Sequence, residues 1–206
     1  AIYLTQAAKE AGADACLLVT PYYNKPTQKG LIEHYKSLAR SVDIPQILYN
    51  VPSRTSVDIE NNTLIELSNI KNIVGIKDAT GDISRIKTLK PKINKGFSFI
   101  SGDDLTFADF LEEGGDAVIS VTANVKPFEI HQICEFIKNK DYKSAKAINQ
   151  KLGQLHKAMF IESNPIPVKW ILSHLGLIKP YIRLPMVELD KAYEQILVKS
   201  LDEANA

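Results

Sequence analysis

Five short, nearly all-apolar runs recur along this chain, each separated from the next by an amphipathic stretch of helical period. That alternation narrows the fold more than any other feature. The runs fall at 15–20, 46–50, 73–77, 97–101 and 117–121; the helical patterns between them lie near 30–41, 59–68, 83–93 and 105–113. Strands that are apolar throughout are expected where both faces of a sheet are covered. Strict alternation with helices then implies right-handed βαβ units and a parallel sheet. The boundaries have local causes. Pro21, Pro45 and Pro52 mark strand and loop edges. Asp103 and Asp104 are N-cap candidates for the helix that follows them, and Gly114 and Gly115 end it.

Beyond Asn124 the pattern changes. Residues 127–139, 142–159 and 166–175 read as successive helices with no strand between them. Asp141 looks like a cap, and Pro165 and Pro167 suit a first turn. The chain thus divides into an α/β part, 1–125, and a helical region, 126–206. Residues 1–12 read as the body of a helix ended by glycine, with no evident cap and no signal-peptide layout.

Composition excludes several classes. The 206 residues carry a net charge of +1 with acids and bases interspersed, so neither a nucleic-acid footprint nor a membrane-surface stripe is present. No apolar run approaches the ~20 residues of a membrane span. Cys16 and Cys134 lack metal or redox spacing and read as reduced thiols of a cytoplasmic protein. His34, His131, His156 and His174 all fall on helical patterns without metal-ligand spacing, so packing or surface roles are expected and no metal is. No serine sits in a nucleophile-elbow pattern.

The five strands fit either an open doubly wound sheet or the back portion of an eight-stranded βα barrel. Polar residues gather at the C-terminal strand ends: Thr20 to Asn24, Tyr49-Asn50, Lys77-Asp78, Ser101 to Asp103, and Ser120 to Asn124. Barrel active sites sit there, and no Gly-x-Gly-x-x-Gly follows the first strand. Lys77 stands out because a charge is not expected at the end of an apolar strand. Burial there favours the neutral amine, a nucleophile able to form a Schiff base with a carbonyl. Alternation puts Ile73, Gly75 and Lys77 on one face, and Gly75 is expected to leave space for the lysine stem. Tyr49 ends the preceding strand, where it can shuttle protons or simply pack as a core ring. Arg54 lies just past it and suits a substrate carboxylate or a surface ion pair. Tyr22 and Tyr23 suit an interface or a pocket wall.

Taken together, 49–55 (Tyr-Asn-Val-Pro-Ser-Arg-Thr) and 75–81 (Gly-Ile-Lys-Asp-Ala-Thr-Gly) resemble the dihydrodipicolinate synthases of the Schiff-base aldolase superfamily. Residues 19–26, 100–104, 118–124 and 164–170 match in the same order. The resemblance implies a (β/α)8 TIM barrel with a C-terminal helical extension, lacking here roughly its first three strands. It implies that Lys77 forms a Schiff base with pyruvate, Tyr49 moves protons, and Tyr23 completes a relay across a dimer interface. Arg54 would hold the carboxylate of L-aspartate 4-semialdehyde, and Ile119 and Gly102 would contact pyruvate. The implied enzyme is a lyase of the diaminopimelate route to lysine. It needs no cofactor, assembles as a dimer or tetramer, and takes lysine as a feedback ligand near Tyr22. Arg54 separates this reading from sugar-acid relatives such as N-acetylneuraminate lyase.

No Gly-Thr-Thr-Gly segment, which in the family binds the pyruvate carboxylate, occurs in the sequence. The resemblance therefore predicts open sheet edges at 15–20 and 117–121. Three situations fit: a fragment of a longer enzyme, edges covered by another copy, or a catalytically incompetent remnant.

Overall fold

The computed structural model describes residues 1–206 and divides into two compact units, Ala1–Ile119 and Ser120–Ala206. The first unit alternates helix and strand from its start. Helix α1 (Ile2–Glu10) leads into β1 (Cys16–Val19), then α2 (Gln28–Ser41), β2 (Gln46–Asn50), a single turn α3 (Pro52–Thr55) and α4 (Asn61–Leu67). There follow β3 (Ile73–Asp78), α5 (Ile83–Leu89), β4 (Ser98–Ser101), α6 (Phe107–Glu112) and β5 (Ala117–Val118). The five strands form one parallel sheet in sequence order, with β1 and β5 at its edges.

Helix starts follow side-chain chemistry. The Thr27 hydroxyl accepts from the Gly30 amide at 3.2 Å, so α2 begins earlier than the expected residue 30. Asp82 accepts from the Ser84 amide at 2.9 Å and opens α5. That helix closes at Leu89 because Pro91 supplies no amide, and 90–92 tighten into a 3-10 turn. Asp103 does not sit at the cap position of the helix. The helix starts only at Phe107, and Asp103 Oδ2 instead accepts the Thr106 amide at 3.0 Å and its hydroxyl at 2.7 Å, bracing the loop. The last strand pairs only over Ala117 and Val118, shorter than the apolar run.

The apolar face of each helix packs on one side of the sheet. Leu31, Tyr35 and Leu38 of α2, Leu64 and Leu67 of α4, and Ile86 and Leu89 of α5 are buried, as are Leu48 and Ile76 of β2 and β3. Alternation is not uniform along β3. The register slips between Gln46 and Ile47, so that Gln46 pairs with Ile73 and Ile47 with Gly75. One extra residue is absorbed there, as in a bulge. Ile73 therefore does not continue the face of Gly75 and Lys77; regular alternation begins at Gly75.

The second unit is helical: α7 (Pro127–Lys138), α8 (Tyr142–Ala158), α9 (Ile166–His174) and α10 (Glu194–Asn205). Its core is Ile133, Leu152, Leu155, Met159, Ile171 and Leu197, all fully buried. Asp141 caps α8 through the Ser144 amide at 3.1 Å. His156 is a packing residue: its Nδ1 lies 2.8 Å from the buried Thr122 hydroxyl and its Nε2 3.2 Å from Asn149 Oδ1. Helix α10 went unforeseen in the sequence. No helix is long and apolar enough to cross a membrane.

Candidate active site

Parallel pairing sets one residue of each strand at the same height. Val19 lies beside Tyr49, Tyr49 beside Lys77, Lys77 beside Ile100, and Ile100 beside Ala117. Paired residues leave a sheet on the same face, which makes Tyr49 and Lys77 neighbours although two helices separate them in sequence. The Lys77 Nζ stands 4.2 Å from the centroid of the Tyr49 ring, within cation–π range.

Gly102 explains how the lysine fits. A Cβ on Gly102 would come within 2.8 Å of Lys77 Cε and 3.2 Å of its Cγ, so a side chain there would push the lysine stem off its present path. Gly75, expected to open this space, has a different reason for being glycine. Its missing Cβ would lie 2.8 Å from the Ser98 carbonyl oxygen on the neighbouring strand, a clash with backbone rather than with the lysine.

Electrostatics favour reactive forms without forcing them. Burial lowers the Lys77 pKa from its ordinary value, and the negative charge of Asp104 partly opposes that. Burial raises the Tyr49 pKa, and the Arg54 charge partly opposes that. The result is an amine less wedded to its proton beside a phenol that keeps its own, the pairing needed for proton exchange around a new C–N bond.

The other expected residues are placed unequally. Arg54 is exposed on α3, within electrostatic reach of Tyr49. Ile119 sits past β5, its amide donating to the Ser101 carbonyl at 2.9 Å, which carries the strand pairing one step beyond Val118. Tyr23 is 94% exposed in the loop after β1, with a left-handed backbone (φ 63°) and no hydrogen bond to Tyr49 or Lys77. Tyr22 beside it is also exposed. Asp104 was overlooked as a site residue; its position two residues past Gly102 was the available signal. No group of three or more His, Cys, Asp or Glu side chains could hold a metal ion.

A model of the dihydrodipicolinate synthetase family matches residues 1–204. The chain belongs to that family. It is similar to the 4-hydroxy-tetrahydrodipicolinate synthase of Thioalkalivibrio sulfidiphilus, 53% identical over 204 residues, which are 99% of this chain and 69% of the relative. Among solved structures, the chloride-inhibited dihydrodipicolinate synthase from Acinetobacter baumannii complexed with pyruvate superposes with a TM-score of 0.95 at 51% identity. The enzyme from Cyanidioschyzon merolae with lysine bound gives 0.94 at 32%. In both comparisons the match covers 99% of this chain and 70% of the other. The five-stranded unit thus has the TIM-barrel fold of the dihydrodipicolinate synthetase family. The function that goes with this family membership is that of a 4-hydroxy-tetrahydrodipicolinate synthase, a lyase of lysine biosynthesis.

Proposed function

We propose that Lys77 is the Schiff-base nucleophile and that the site condenses pyruvate with L-aspartate 4-semialdehyde. The observation that carries this is the contact between Lys77 and Tyr49 on adjacent strands. The neutral amine attacks the ketone carbon of pyruvate, and loss of water gives an imine. The imine nitrogen then draws electrons while a methyl proton leaves, forming an enamine. The enamine carbon attacks the aldehyde of the second substrate. That substrate's amine finally adds to the imine carbon and displaces Lys77, closing the ring and restoring the free amine. Tyr49 donates and recovers the protons these steps exchange.

Arg54 provides a planar, permanently charged fork for the semialdehyde's carboxylate. Gly102 and Ile119 line the pyruvate end. Tyr23, exposed on its loop, is suited to reach the site of a second copy, so a dimer or tetramer is the assembly proposed. The pyruvate and lysine bound in the two solved relatives support pyruvate as substrate and lysine as a regulator near Tyr22. A cytoplasmic location goes with this metabolic role.

The test is an intact-mass measurement after pyruvate and borohydride. A reduced adduct mapped to Lys77 is expected, and an adduct on any other lysine overturns the assignment. Arg54→Ala is expected to weaken use of the semialdehyde while leaving pyruvate trapping intact; equal damage to both would make Arg54 structural.

A further inference from the structure

One residue beyond the reactive pair, Asn50 and Asp78 also pair in register. Alternation turns them to the opposite, helix-covered face, where both are buried. There a single guanidinium meets them. Arg85 of α5, only 9% exposed, donates from Nε to Asp78 Oδ2 at 2.9 Å and from Nη2 to the Ile59 carbonyl at 2.6 Å. Its Nη1 reaches Asp58 Oδ2 at 3.2 Å. The other Asp58 oxygen accepts from Asn50 Nδ2 at 2.7 Å, and Asn50 Oδ1 accepts the Ile59 amide at 3.0 Å. Asp78 Oδ1 takes the Thr80 amide at 2.9 Å and its hydroxyl at 2.6 Å.

Backbone pairing between the two strands runs out here, with the Ala79 amide on the Asn50 carbonyl at 2.9 Å. Past that bond the strand ends are held by side chains. A rigid fork with three acceptors fixes angles as well as distances, and this one ties both strand ends to the loop that follows α3. Stability alone is a poor reason for such a device, because well-packed apolar residues often replace buried ion pairs at no loss. Fixed geometry is the better one.

We propose that Arg85 is a positioning residue for the reaction. By clamping Asp78 directly, and Asn50 through Asp58, it fixes the backbone from which Lys77 and Tyr49 project and so sets their approach. This rests on the roles of Lys77 and Tyr49 proposed above, and the test separates the two claims.

Reductive methylation of the full chain with 13C-formaldehyde labels Lys77, and its NMR resonance is identified by its loss in Lys77→Arg. Lying over the Tyr49 ring, the label carries a ring-current shift that disappears in Tyr49→Leu. Arg85→Gln is expected to lose the greater part of that shift. Leu89→Ala, a core truncation on the same helix that spares the clamp, is expected to lose stability and keep it. A full shift in folded Arg85→Gln overturns the proposal, as does equal loss of shift in Leu89→Ala. Should Arg85→Gln fail to fold, Asp58→Asn removes one charged arm from a half-exposed position; partial loss of shift supports the clamp, and an unchanged shift overturns it. If pyruvate trapping fails at Lys77 while the shift still depends on Arg85, the substrate assignment falls and the clamp stands.

Discussion

The two faces of the sheet are built to different standards. On the helix-covered face Leu48 and Ile76 are sealed, and even the polar strand-end residues Asn50 and Asp78 are buried with their hydrogen bonds made. On the face that carries Tyr49 and Lys77, Leu17 is 46% and Val19 40% exposed, and those two residues are themselves half-buried. One face is closed by packing; the other is open in this chain, which covers about 70% of the solved relatives it matches. The division of labour is possible because successive side chains alternate, so stability and chemistry can be tuned on the same five strands with little interference.

The largest effect that can break this comparison is on chemistry. Lys77→Arg is expected to abolish borohydride-trapped pyruvate altogether, because a guanidinium keeps its proton; a surviving adduct in the mass spectrum would move the chemistry off this face. Tyr49→Phe should slow imine formation by roughly 10²–10⁴-fold, the usual worth of a positioned acid–base, as followed by the time course of trapping. Truncation then weighs the faces directly. Leu48→Ala should cost about 2–5 kcal/mol in urea unfolding, and Leu17→Ala, already half in water, less than about 1 kcal/mol. Equal losses would show that the open face is closed in solution. The smallest effect is a pH shift. Asp104 holds the Lys77 pKa up against burial, so Asp104→Asn should lower it further. The acid-side limb of the trapping profile then moves to lower pH, and a move to higher pH would contradict the electrostatics.

How much of this was legible in the sequence varied with the distance over which the cause acts. The five strands follow from local apolar runs and their spacing; the barrel class follows from the polar residues gathered at the C-terminal strand ends and from the motif resemblance. Lys77, Tyr49 and Arg54 follow from charge or aromatics at strand ends, strengthened by the motifs around them. The bulge before Gly75 was hidden, since a register slip depends on what the neighbouring strand presents. So was the reason for Gly102, because only the path of a lysine from another strand shows what a Cβ there would displace. Arg85 reads as an ordinary polar position on a helix; its burial is decided by Asp58 and Asp78 arriving from elsewhere. Helix α10 was missed although its buried Leu197, Leu201 and Ala204 recur at helical spacing.

The rung that aligns Tyr49 with Lys77 also has a kinetic meaning. Parallel strands cannot pair through a tight turn; each pairing waits for a crossover helix to form and dock. The Tyr49–Lys77 contact therefore does not exist in any local piece of the chain, and it comes into being only when β2 and β3 close on each other. Refolding followed by pulses of pyruvate and borohydride would use the proposed nucleophile as a clock, dating that closure against the far-ultraviolet signal of the helices.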